Sequence, residues 1–144
     1  MDSKEYIELN KNLKEKNYFI AYFDILGYET KIRGNNKELL PYIDGIFRAF
    51  RKWLLILDNE AGCKIRMKAF SDNILFCTER DFLTLLLLVS RIQFLLICNF
   101  DLFIRGAITY GKLVFRKDFV FGKGLIDVYK LENEVSIFPR IKNY

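Results

Sequence analysis

Histidine is absent from all 144 residues, which removes His-based catalytic triads and His-ligated zinc from the chemistry open to this chain. Cysteine is scarce. Cys63, Cys77 and Cys98 lie in apolar or strand-like surroundings without CxxC spacing, so neither a disulfide framework nor a zinc site is expected, and all three read as reduced core residues. The opening stretch MDSKEYIELNKNLKEKN is polar and charged and lacks the apolar centre of a signal peptide, so a cytoplasmic protein is expected. A net charge of +5 suits phosphates or nucleotides, but no basic tail gathers it, and no stable nucleic-acid partner is expected.

What the chain has is apolar residues, 51% of the total, enough for one domain with a real core but not for two. Its longest apolar run, FLTLLLLVSRIQFLLICNF at 82–100, approaches the length of a bilayer-crossing helix. Arg91 and Gln93 stand at its centre, where charge is expensive in lipid, so a core helix under a sheet is the expected reading, with part of the surplus available as a dimer face.

The first 17 residues read as an arm or solvated helix, and 18–144 as the domain. Residues 18–24 form an apolar strand ending at Asp24, followed by the turn Ile25-Leu26-Gly27. Leu39, Leu40, Ile43, Ile46, Phe47, Phe50, Leu54 and Leu57 recur at amphipathic-helix spacing, with Pro41 tolerated in the first turn. CKIRMKAF, SDN and ILFCTE describe a hairpin with Asp72 at its bend. After the 82–100 helix, LFIRGAITYGKLVF is a fourth strand with a turn at Gly111, and GLIDVYKLENEV a third helix opened by Gly122 and Gly124. The order is β-α-β-β-α-β, an α+β arrangement of the split βαβ, ferredoxin-like kind.

In such a sheet the end of the first strand and the bend of the hairpin can meet at one edge, bringing Asp24 and Asp72 together. Taken singly, Asp24 reads as a helix cap and Asp72 as a turn residue. As a pair, two close carboxylates repel, and a divalent cation such as Mg2+ or Mn2+ resolves the repulsion. The turn after Asp24 also offers backbone N–H groups suited to phosphate oxygens.

FIAYFDILGYE, KAFSDNILF, RGAITYGKLV and FGKGLIDVYKLE occur in the order and rough spacing of the class III nucleotidyl cyclase catalytic domain, which this chain resembles over about residues 18 to 141. The likeness is strongest to the bacterial anti-phage Pycsar pyrimidine cyclases. The resemblance implies a palm core shortened at the C-terminus and a homodimer that binds a nucleoside triphosphate with two Mg2+ or Mn2+ ions. Its expected product is a 3′,5′-cyclic mononucleotide, from CTP or UTP, read by a downstream effector. It implies that Asp24 and Asp72 hold the metals, that Ile25 adds a backbone group beside them, and that Leu26, Gly27 and Tyr28 form a phosphate-facing turn. Lys68 matches the base-reading position, its alternative being an exposed strand lysine. Ile126 and Lys130 stand where purine cyclases carry an asparagine and an arginine, so Lys130 is the candidate for charge neutralisation. Phe119 stands where adenylate cyclases carry a base-reading aspartate and offers a stacking face instead. Arg105 is a candidate phosphate or dimer contact, or a structural arginine.

Two other readings stay open. One is a palm-type oligonucleotide or dinucleotide synthase, although FSDN stands where GGDEF or GGDD would. The other is a non-catalytic nucleotide-binding or dimerisation module, favoured by Ile126 and by FPRIKNY, which reads as the start of a further strand.

Overall fold

A computed structural model describes residues 2–5, 15–34, 37–61, 64–70, 72–116, 119–135 and 141–143. Most of the N-terminal arm, Cys63 and Ser71 of the SDN turn lie outside the described residues. β1 (Lys16–Leu26) begins inside the region read as an arm. It is followed by α1 (Tyr28–Arg33), α2 (Leu39–Ala61), β2 (Ile65–Phe70), β3 (Asn73–Thr78), α3 (Phe82–Phe100) and β4 (Phe103–Phe115). β5 (Val120–Phe121), α4 (Lys123–Val135) and β6 (Ile141–Asn143) complete the described chain. The fold is α+β.

The sheet order is β2-β3-β1-β4-β5, with β6 pairing parallel to β4 at Gly106–Ile108. All other pairings are antiparallel. β1 is central, bonded to β3 from Phe19↔Thr78 to Asp24↔Asn73 and to β4 from Lys16↔Leu113 to Leu26↔Phe103. Because side chains alternate along a strand, β1 feeds two cores. Ala21, Phe23 and Ile25 pack with Leu39, Ile43 and Leu54 of α2 and with Leu85, Leu88, Val89, Ile92 and Leu96 of α3. Tyr18, Ile20 and Tyr22 face the other way, against Val128 and Leu125 of α4. Asp24, next in that alternating set, therefore stands on the α4 face.

α3 is capped by Asp81, whose carboxylate accepts from the Thr84 amide at 3.1 Å, the role such a side chain fills at a helix start. It is the one helix among the described residues long and apolar enough to cross a membrane. One side of it packs into the core under the sheet, while Leu83, Leu87 and Phe94 face outward. Cys77 is buried as expected, its thiol pushed up to about 12 by burial. Cys98 departs from the expectation of a core cysteine, because it lies on the exposed side of α3.

The expected turn at Gly111 is a further correction. β4 runs unbroken to Phe115, and Gly111 pairs with Tyr18 in mid-strand. Its lack of a side chain serves a close approach instead, since a Cβ there would lie 3.0 Å from Gly124 Cα. Gly124 is tighter still, with a Cβ meeting Ile20 Cδ1 at 2.6 Å and the Lys112 carbonyl oxygen at 2.9 Å. These two glycines let α4 lie directly on β4. FPRIKNY does contribute a strand, through Ile141–Asn143.

Candidate active site

The site grows from one row across the sheet. Asp24 is paired with Asn73 of β3 and with Arg105 of β4, and Asn73 with Phe70 of β2. The Ile25 amide donates to the Asp72 carbonyl at 2.9 Å, which fastens the β2–β3 bend to the end of β1. The bend that carries Asp72 is thus tied to the end of β1 that carries Asp24. The same bond removes the Ile25 amide as a donor to phosphate or ligand, leaving its carbonyl as the group that could stand beside a metal.

Two hydrogen-bonded chains flank the pair. On one side Tyr22 Oη donates to Asn73 Oδ1 at 3.0 Å, and Asn73 Nδ2 donates to Asp72 Oδ1 at 3.2 Å. Burial, then the charges of Glu132, Tyr129, Asp24 and Asp72, push the Tyr22 phenol up to about 12, so it remains a donor at neutral pH. On the other side Arg105 is shared. Its Nε donates to Glu132 Oε1 at 2.9 Å and its Nη2 to Asp24 Oδ2 at 3.4 Å. Burial opposes the guanidinium charge, but Asp24 and Glu132 outweigh it and hold the Arg105 value above its ordinary one. Glu132 is buried, and its carboxyl is raised first by that burial and then by Asp24 beside it, with Arg105 pulling the other way.

Among the described residues Asp24 Oδ1 is buried without a hydrogen-bond partner. A buried carboxylate oxygen without a donor is costly, and a cation would relieve it. Among the described residues no cluster of three or more His, Cys, Asp or Glu side chains is arranged for a metal. Magnesium, however, commonly takes only one or two carboxylates and completes its shell with water and substrate phosphates. Asp24 and Asp72 fit that donor set.

Beside the aspartates lies a groove of about 230 Å³ lined by Tyr22, Lys68, Phe70, Asn73, Val120 and Leu125, among others. Tyr22 and Asn73 belong to both the groove and the aspartate cluster. The groove exists because the sheet curls. β2 and β4 are separated by two strands in the sheet order, yet Lys68 Nζ and Arg66 Cζ each lie 5.6 Å from the centroid of the Phe115 ring. Lys68 is therefore not a plain edge lysine. It is half-buried, faces the groove and meets an aromatic ring at cation–π distance.

The structure brings together Asp24, Ile25, Asp72 and Arg105, with Lys68 along the adjoining groove. It does not bring Phe119 there. Phe119 sits just before β5, 43% exposed, with its ring 6.0 Å from that of Phe121, while its neighbour Val120 lines the groove. Lys130 lies on the exposed side of α4, away from the buried stripe of Val128 and Glu132. Gly27 adopts the left-handed conformation, φ +81°, between β1 and the six-residue α1. The strand does not end at Asp24 as expected: Ile25 and Leu26 continue β1, paired with Ile104 and Phe103. Tyr28 opens α1 and packs partly against the α2–α3 core, so Gly27 is the one turn residue of the expected phosphate-facing stretch.

Glu132, Tyr22 and Asn73 escaped the sequence reading. The signal for Glu132 was its position four residues after Val128, an acid on an otherwise apolar helical stripe. No protein-family model and no curated protein matches the chain, and the site's chemistry is that of its own side chains.

Proposed function

We propose that this chain is a metal-dependent nucleotidyl cyclase built on a ferredoxin-like palm core, converting a nucleoside triphosphate, CTP or UTP, to a 3′,5′-cyclic mononucleotide and pyrophosphate. The observation that carries the proposal is the backbone bond of 2.9 Å that ties the Asp72 bend to the strand end carrying Asp24, whose Oδ1 is buried without a donor among the described residues. A groove with a lysine in its wall adjoins the pair.

In this reading Asp24 and Asp72 would hold Mg2+ or Mn2+, which would supply Lewis-acid polarisation of the α-phosphate and charge neutralisation for the 3′-oxygen and the pyrophosphate. The 3′-oxygen bonds to the α-phosphorus as the bond to the bridging oxygen breaks, the hydroxyl proton passing to water and pyrophosphate leaving with the bridging oxygen. The protein's own part is positioning. Asn73 orients the Asp72 carboxylate and is itself held by Tyr22. Lys68, steadied over Phe115, presents an ammonium donor to a base carbonyl or ring nitrogen. Lys130 and the exposed Ile126 of α4 are expected to complete the site of a second copy in a homodimer. A product of this kind suits a cytoplasmic signal in anti-phage defence, with an effector downstream.

A second reading, a non-catalytic nucleotide-binding module, is favoured by one observation: Arg105 already contacts Asp24. Incubation with each of the four common nucleoside triphosphates and Mn2+, followed by mass analysis, separates the two. A cyclic mononucleotide supports the cyclase, and nucleotide bound but unchanged supports the binding module.

A further inference from the structure

Arg105 is a cation already inside the candidate metal site, and its geometry is uneven. It lies 2.9 Å from Glu132 and 3.4 Å from Asp24, at the outer limit for a hydrogen bond. Among the described residues one Asp24 oxygen is buried without a donor, while the Glu132 side chain is only 4% exposed, sits on the buried stripe of α4 and stands against both Arg105 and Asp24. Two carboxylates therefore divide one guanidinium, and the buried one takes the larger share.

We propose that Glu132 is a positioning residue that holds Arg105 back from Asp24, keeping that carboxylate open to a divalent cation. The proposal rests on the two-aspartate metal reading and adds to it a competition between an internal cation and an external one. With Glu132 neutralised, Asp24 is the remaining carboxylate within reach of Arg105. The guanidinium then moves onto it, and metal has to displace a charge-assisted contact.

The test is direct Mn2+ binding to the full chain, by titration calorimetry or electron paramagnetic resonance, with thermal melting as the control for folding. Glu132→Gln should weaken Mn2+ binding about tenfold, the ratio implied by one added hydrogen bond to a charged group. Adding Arg105→Gln to that variant removes the competitor and should restore affinity. Arg105→Gln alone should bind Mn2+ at least as tightly as the wild type, and weaker binding there overturns the proposal even where Glu132→Gln fails to fold. A scaffolding role for the Arg105–Glu132 pair would instead weaken binding in all three variants. That result, or unchanged affinity in Glu132→Gln, overturns the proposal while leaving the metal site standing. Absence of Mn2+ binding to the wild type overturns both.

Discussion

At the scale of single residues, the site depends on a few polar groups held in half-buried surroundings. Tyr22→Phe deletes the donor to Asn73 Oδ1 and should lower stability by about 1 kcal/mol in urea unfolding, the usual net worth of such a bond. Glu132 makes a pH prediction whose sign is fixed by the direction of its shift. Its folded-state value is raised above the ordinary 4.5, so in the window between the two values the folded chain keeps a proton that the unfolded chain has released. This group's contribution is fully present below 4.5 and is lost as pH rises through the raised value. Glu132→Gln removes that titration, so its melting temperature relative to the wild type should climb between acid and neutral pH. A difference that stayed flat or fell across the window would contradict the assignment. Asp24 and Asp72 were legible from the sequence because each ends or turns an apolar run. Glu132 was not, because only the docking of α4 on β4 turns an acid in a charged-looking helix into a buried one.

Among the elements, α4 is the part whose placement the site needs most, since it carries Glu132 to Arg105. Gly111 and Gly124 set its distance from β4. Gly124→Ala would drive a Cβ to 2.6 Å from Ile20 Cδ1 and 2.9 Å from the Lys112 carbonyl. Relieving that overlap should cost about 1–3 kcal/mol, as overpacking does, visible as a lower urea midpoint. An unchanged midpoint would mean that the helix can lift without penalty. The strands and the two long helices were readable from periodicity of two and of three to four. The turn assigned to Gly111 was wrong for a physical reason: glycine signals both turns and close packing, and only the position of Gly124 across the interface distinguishes them. The groove was equally hidden, because the curl that brings Phe115 to Lys68 depends on contacts distant in sequence.

For the whole molecule, the homodimer proposal rests on α4, which leaves Ile126 57% exposed together with Lys130, while Tyr129 packs edge-on against Tyr22 of its own chain at 5.9 Å. If each site takes its aspartates from one copy and Lys130 from the other, a heterodimer of Asp24→Asn and Lys130→Ala chains holds one intact site. It should then recover about half of wild-type turnover from two inactive parents. No recovery in a verified heterodimer would assign each site to a single chain. The claim on which the rest depends is that Asp24 and Asp72 form the centre of a cyclase, and the most direct measurement compares cyclic mononucleotide yield from the wild type and from Asp72→Asn with Mn2+ and a pyrimidine triphosphate. The account predicts product from the wild type and none above background from a variant whose circular dichroism is unchanged; comparable yields from the two chains would contradict it.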